Sequence, residues 1–167
     1  MRFKEAHPPA TESAIAAFER QRAVRLPTAY RAFLLETNGG YGPELQILTV
    51  PSWPDWRQMV VTEMRGLHGE AYNSIEQKWL GNFSKGIGRQ MLQFADDPSG
   101  EIFVIDLRPK TYGNVYVRCH DITPNVPFII DDAEFDHSDY EEAELYHPVA
   151  DSFEAFLTML GPDSDNV

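Results

Sequence analysis

One segment near the start of the chain, residues 26–40, constrains the fold more than any other. Pro27 suits the first turn of a helix, because its missing N–H would have no partner there and its φ angle is already helical. An apolar stripe at i, i+3 and i+4 spacing follows, formed by Tyr30, Phe33 and Leu34. The run 38–40, Asn-Gly-Gly, tolerates positive φ angles and lets the helix end in a left-handed cap. The segment predicts a well-capped helix packed against a core.

The rest of the pattern predicts a helix first, then mostly strands, then a second terminal helix. Residues 12–23 carry Ile15 and Phe18 at helical spacing, so this first helix is expected to pack on the one that follows. The predicted strands cover residues 45–50, 91–94, 102–107 and 114–117. Turns are expected at 97–100 and around 109–113. A further helix is predicted over 66–80, where apolar residues partly satisfy a helical period.

The last helix is predicted to begin at a capping box. Asp151 caps it, and Glu154 reaches back toward the cap three residues later. Its inward residues are Phe153, Phe156, Leu157 and Leu160. The Gly-Pro pair at 161–162 stops it. The predicted fold class is therefore α+β, a single domain over 1–162 with a mainly antiparallel sheet and helices at both ends, followed by a short, acidic, disordered tail at 163–167.

The composition is that of an ordinary globular domain. Hydrophobic residues make up 43% of the chain and aromatic residues 12%, which argues against disorder as its default state. The apolar runs are too short to cross a bilayer, and the first residues lack the basic-then-apolar pattern of a secretory signal. Cys119 is the single cysteine, so no intramolecular disulfide can form, which fits a reducing compartment. We expect a cytoplasmic protein.

Negative charge is concentrated in the last part of the chain. Residues 1–120 carry nearly equal numbers of acidic and basic side chains, whereas residues 121–167 contain thirteen Asp or Glu and no Lys or Arg. The formal net charge of -12 is therefore carried by this last part. Such crowding of like charge destabilises the compact state unless a positive group comes near.

Eight of these acids lie in one stretch, residues 131–144, which we call the acidic segment. They are Asp131, Asp132, Glu134, Asp136, Asp139, Glu141, Glu142 and Glu144. One interpretation is a solvated face that keeps the protein soluble. The other is a docking surface for a basic protein, with Phe135 and Tyr140 as aromatic anchors among the charges. Trp53, Trp56 and Arg118 remain open as further contributors.

The charge balance argues against nucleic acid as a direct ligand, because the chain has no basic stripe and would be repelled by phosphates. An enzyme is also disfavoured. Cys119, His120 and Asp121 are consecutive, and neighbours along a strand point to opposite faces, so the three cannot form a triad. The carboxylates at 96–97 and Glu101 are explained more simply by a turn before Gly100 than by paired acid–base catalysis.

Metal and phosphate sites are not expected either. His137 and His147 lie among acids, but no His-x-x-x-His or Cys-x-x-Cys spacing supports a designed metal site. The glycines in the run 85–88 do not open a strand–loop–helix unit, so a turn explains them better than a phosphate loop. The sequence therefore predicts a chain without cofactor, metal or catalytic residues.

Four groups of residues follow one another in the order of a known family. They are the 26–40 helix preceded by Phe18-Glu19, the hairpin 94–101 with 105–107, the strand 113–116 ending in His120-Asp121, and the closing helix motif 149–157. Together, from about residue 12 to residue 160, they resemble the SUKH superfamily, and in particular its first branch, SUKH-1, which includes a fungal cell-wall regulator. Arg118 departs from the pattern, since family members often carry Trp at this position.

The resemblance implies a SUKH-like fold and a role in protein binding. Many bacterial members look like immunity proteins that bind and silence toxins, often nucleases with a positive groove for their substrate. An acidic segment is a natural counterpart of such a groove. The expected function is thus binding and neutralisation of a cognate, basic toxin by a monomer or weak homodimer, without membrane contact. The alternative is a regulatory or scaffolding protein without a toxin partner, as the eukaryotic branch implies.

Overall fold

A computed structural model describes residues 3–50, 58–69, 74–76, 90–118 and 146–162. Within this described part, three helices and eight strands are found. The helices are α1 (Glu12–Arg22), α2 (Thr28–Glu36) and α3 (Phe153–Met159). The strands are β1 (Glu5–Ala6), β2 (Gly40–Thr49), β3 (Gln58–Met64), β4 (Met91–Asp96), β5 (Ile102–Asp106), β6 (Val115–Arg118), β7 (Tyr146–Ala150) and β8 (Gly161–Pro162).

The strands form one antiparallel sheet in the order β1-β2-β3-β4-β5-β6-β7. The short strand β8 also pairs with β2, with Gly161 opposite Ile47, while β1 pairs with the start of β2, with Ala6 opposite Gly40. Segments from both ends of the described chain are therefore fastened to one strand. The predicted α+β class, with helices at both ends and an antiparallel sheet, is confirmed.

An aromatic cluster joins the helices to the sheet. Its members are Tyr30 and Phe33 from α2, Phe94 from β4, Phe103 from β5, and Phe153 and Phe156 from α3. The ring centroids of Phe94 and Phe156 are 5.1 Å apart, and those of Tyr30 and Phe153 are 5.0 Å apart, both in edge-to-face arrangements. Such pairs contribute roughly 0.5–1.5 kcal/mol beyond the area that they bury. The cluster holds α2 and α3 side by side on one face of the sheet.

Helix α1 agrees with its predicted bounds and is tied to α2 by a buried carboxylate. The Thr11 hydroxyl accepts from the backbone N–H of Ala14 and caps the first turn. Glu19 accepts from the backbone N–H of Leu26 at 2.8 Å and from Arg31 at 2.7 Å. Because these two donors lie on the connection and on α2, Glu19 ties α1 to both segments.

The end of α2 is a junction of three segments. Asn38 and Gly39 have φ angles of 53° and 79°, as the Asn-Gly-Gly run predicts. The buried Asn38 amide donates to the carbonyls of Pro8 at 2.8 Å and Leu67 at 3.1 Å, and its oxygen accepts from the Leu67 N–H at 2.7 Å. A Cβ at Gly39 would lie 2.4 Å from the Met64 carbonyl oxygen. The run thus both ends the helix and fastens the chain around it.

The predicted helix over 66–80 is wrong at every described position. Residues 66–69 and 74–76 form a bridge, bends and a turn, with Gly66 paired in parallel to Ser74. The Ile75 N–H donates to the Gly66 carbonyl at 2.9 Å. Leu67 and Ile75 are buried in the core, so their apolar character reflects burial of a loop. A partial helical period is a weak signal when a few irregularly spaced side chains fill a core.

Helix α3 is confirmed, but its predicted cap is off by one residue. The N-cap is Ser152, whose hydroxyl accepts from the Ala155 N–H at 3.1 Å, and not Asp151. Pro27 likewise is the N-cap of α2 and lies just before the first helical turn. After Leu160, which is already extended, the Gly-Pro pair forms β8 on β2.

Candidate functional site

The predicted partner-binding residues lie outside the described residues. This holds for the acidic segment as a whole, with Asp131, Asp132, Glu134, Phe135, Asp136, Asp139, Tyr140, Glu141, Glu142 and Glu144. It also holds for Trp53, Trp56, the 85–88 run, Cys119, His120, Asp121 and His137, and for the tail at 163–167. These interpretations stay predictions.

Arg118, the position where the chain departs from the family pattern, packs within the fold. It ends β6, and its register partner on β7 is Tyr146. The Arg118 guanidinium carbon lies 6.0 Å from the centre of the Tyr146 ring, at the outer limit of a cation–π contact. Arg118 is half-buried, and its side chain therefore contributes to packing against β7.

The carboxylates around 96–101 form a turn, in agreement with the simpler sequence interpretation. Asp97 accepts from the Ser99 N–H at 2.7 Å through one oxygen and from the Val60 N–H at 2.9 Å through the other. Asp96 pairs with Arg65. These carboxylate oxygens accept hydrogen bonds from the turn itself and from β3 and the residue that follows it. The turn therefore joins β4 to β5 and also holds β3 in place.

A buried ion pair shapes the loop after β5. Asp106 is fully buried, and its carboxylate accepts from the Arg108 guanidinium at 2.6 Å and from the Thr111 hydroxyl at 2.6 Å. The Gly113 N–H donates back to the Asp106 carbonyl at 2.8 Å. Fixed at both ends in this way, the loop presents Tyr112, whose side chain is 43% exposed.

Tyr112 closes one side of a groove between the helices, which we call the α2–α3 groove. Its volume is about 650 Å³. Phe33 and Phe153 form the floor, with ring centroids 5.4 Å apart, and Leu157 lines the α3 side. A groove of this size and apolar lining is typical of a binding site.

The groove is open because α2 presents small side chains to it. Ala29 and Ala32 lie along the groove, where longer side chains would fill the space between the helices. Neither residue belongs to the apolar stripe that predicts the buried face of α2. The sequence signal that could have identified them is their helical spacing, because residues 29, 32, 33 and 36 share one face of α2. Only the position of α3 beside this face shows that it lines a groove.

The charges around the α2–α3 groove are negative. Glu36 on α2 and Glu154 on α3 are exposed and line it, and no Lys or Arg is found among the described residues that line it. Arg31, also on α2, is paired with Glu12 and Glu19. The Tyr112 hydroxyl donates to the backbone carbonyl of Arg25 at 3.1 Å. Partial burial raises the pKa of Tyr112, so this phenol is a neutral donor at pH 7.

The described part of the chain has neither a metal-binding cluster nor a membrane-spanning helix. There, no group of three or more His, Cys, Asp or Glu side chains could hold a metal ion. His147 is buried in β7, and burial lowers its pKa. No described helix has the length and apolar character needed to cross a membrane.

The chain matches the sequence model of a known protein family. This model, of the SMI1 / KNR4 family (SUKH-1), matches residues 9–159, which include the three described helices and the strands β2 to β7. The search of curated proteins finds no match.

Proposed function

Because the chain belongs to the SMI1 / KNR4 family (SUKH-1), we propose that it is a non-catalytic immunity protein that binds and neutralises a protein toxin. The toxin is a basic protein, such as a nuclease whose positive groove holds nucleic acid. The chain acts as a monomer or weak homodimer in the cytoplasm, where its single cysteine stays reduced.

The distribution of charge is the observation that carries this proposal. Residues 121–167 carry thirteen acids and no Lys or Arg, against a nearly neutral rest of the chain, and eight of these acids fall within the acidic segment. Complementary charge raises association rates by about 10 to 10³-fold, which suits a protein that must capture a toxin before it acts. Phe135 and Tyr140 supply anchors of the kind that dominate binding energy at interface centres.

An affinity capture experiment tests the acidic segment. The bait is the wild-type chain or a variant with Asp132, Asp136, Glu141 and Glu142 all changed to Lys, and capture from the source cell is run at low and moderate salt. We expect the wild type to retain a basic, toxin-like protein that the variant loses. A control variant with Glu5, Asp151, Asp163 and Asp165 changed to Lys has the same change in net charge and should keep the partner.

Protection from toxicity tests the function itself. Co-expression of the captured protein with the wild-type chain should restore growth to cells that the captured protein alone kills. Growth that is not restored would contradict the immunity proposal. Turnover of nucleic acid by a preparation free of contaminating nuclease would contradict the non-catalytic part of it.

A regulatory or scaffolding role without a toxin partner is the second candidate. Membership of the SMI1 / KNR4 family (SUKH-1) supports it, because the fungal cell-wall regulator in that branch implies a regulatory role. The neighbouring genes separate the two, because an immunity protein is expected beside the gene of its toxin. A partner that is neither toxic nor basic would favour the scaffold.

A further inference from the structure

We propose that the α2–α3 groove receives a basic segment of the protein partner, with one aromatic or large aliphatic side chain seated between Ala32 and Leu157. Lys or Arg side chains flanking that anchor pair with Glu36 and Glu154. This inference rests on the proposed function, since it names a second contact surface for the same partner, within the described part of the chain.

The shape of the groove favours an anchor side chain. A space of about 650 Å³ between two helices can take a Trp or Tyr together with neighbouring atoms of its backbone. Binding energy at interfaces is concentrated where such a side chain enters a well-packed pocket. Ala29 and Ala32 leave this space on α2, so the anchor enters without displacing a side chain of the protein.

The floor of the groove is already organised for binding. Phe33 and Phe153 contact each other, and Phe153 also packs on Phe94 of the sheet, with ring centroids 5.3 Å apart. At the side of the groove that Tyr112 closes, the ion pair of Asp106 and Arg108 fixes the loop that carries Tyr112. Because these side chains are held by the core, little ordering is needed when an anchor binds.

The charges around the groove decide which occupant fits. Glu36 and Glu154 are exposed carboxylates on opposite walls, and the described lining contains no Lys or Arg. A second copy of this chain, with a net charge of -12, would be repelled, and residues 121–167 contain no basic side chain to bring to the groove. A segment with Lys or Arg on both sides of an apolar anchor is complementary in charge as well as in shape.

A defined peptide tests the groove without the toxin. The probe is fluorescein-labelled Gly-Lys-Arg-Trp-Lys-Arg-Gly, and its binding to the full chain is followed by fluorescence anisotropy. Ala32→Trp fills the groove and should weaken binding by at least about tenfold. The matched control is Ala17→Trp, an exposed alanine on α1 outside the groove, which should bind like the wild type. Thermal melts of both variants check that they fold.

The charge contribution is measured with a second pair of variants. Glu36→Gln and Glu154→Gln should each weaken peptide binding and reduce its dependence on salt, whereas Glu5→Gln on β1 should not. A peptide with Ser in place of Trp should bind at least about tenfold more weakly than the probe. Equal binding of the probe to the wild type and Ala32→Trp, or no binding to the wild type, would overturn the inference.

The toxin assay separates this inference from the proposed function. If the wild-type chain protects and Ala32→Trp does not, while Ala17→Trp does, the groove is part of the toxin interface. If Ala32→Trp still protects fully, the groove inference is wrong although the immunity function stands. If the wild-type chain protects against nothing, the proposed function fails, whatever the peptide measurements give.

Discussion

At the scale of single residues, Tyr30 shows how one side chain serves both the core and the backbone. It was predicted to face inward, and it is fully buried, with its hydroxyl donating to the Arg65 carbonyl at 2.9 Å. Burial raises the pKa of Tyr30 well above its usual value, an effect that the charge of Arg65 only partly offsets. The sequence predicted the buried ring, but the partner of its hydroxyl depends on a loop far along the chain.

This raised pKa makes stability fall at alkaline pH. Below the pKa of about 10 that tyrosine has in the unfolded chain, both states keep the proton and the contribution of Tyr30 is fully present. Above it, the unfolded state releases the proton while the folded state retains it, so the free energy of unfolding drops by about 1.4 kcal/mol per pH unit. Tyr30→Phe should cost about 1 kcal/mol at pH 7, through the lost hydrogen bond.

Denaturant unfolding of the wild type and Tyr30→Phe from neutral to alkaline pH measures this difference directly, because every other titrating group is shared. We expect the cost of the substitution to fall above a pH of about 10, to reach zero within about one further pH unit and then to change sign, because only the wild type carries the phenol. A cost that stays constant over the whole range would show that the Tyr30 phenol ionises equally in both states.

At the scale of elements, patterning predicted the helices better than their ends. Asp151 and Ser152 are adjacent, and either is a good N-cap, so the sequence alone could not choose between them. β7 extends to Ala150, which pairs with Val115, and Ser152, two residues later, has an extended backbone. The end of a strand therefore decided where α3 begins.

The cap assignment gives a prediction for α3. Ser152→Ala removes the acceptor of the Ala155 N–H and should lower the free energy of unfolding by about 1 kcal/mol. The exposed Asp151 provides a matched control. Asp151→Ala should change the free energy of unfolding by less than about 0.5 kcal/mol. Denaturant melts of the two variants compare the sites. A larger loss of stability in Asp151→Ala than in Ser152→Ala would show that Asp151 is the N-cap, as the sequence predicts.

Four of the eight described strands were not predicted, namely the two-residue strands β1 and β8 and the longer strands β3 and β7. The two longer ones were missed for a related reason. In β3 the side chains of Met59 and Val61 are buried and alternate with more exposed neighbours, but the stretch is short and directly follows the Pro- and Trp-containing residues 51–56. In β7 a histidine and a proline interrupt the alternation of apolar and polar residues that marks a strand. Strands of this kind gain their stability from the partner that pairs with them, which lies far away in the sequence.

At the scale of the whole molecule, charge works against folding. The net charge of -12 is carried by residues 121–167, where no basic side chain offsets the repulsion. Salt screens such repulsion over about 10 Å at 0.1 M ionic strength. The free energy of unfolding should therefore rise as sodium chloride is added from low to physiological concentration, as measured by denaturant melts.

A neutralised variant serves as the comparison for this prediction. With Asp132 and Asp136 changed to Asn, and Glu141 and Glu142 changed to Gln, the chain should start out more stable at low salt and gain less from added salt. Stability that is independent of salt in the wild type would mean that the acids of the acidic segment are too well solvated to oppose folding.

The sequence by itself determined the helices α1, α2 and α3, the central hairpin, the α+β class and the family, because these follow from periodicity and turn residues that act over short distances. Only the tertiary structure decided the role of Asn38 as a junction and the loop form of the described residues between 66 and 76. The same is true of the α2–α3 groove. A groove is the space that two packed elements leave between them, and no local pattern records which element will lie opposite.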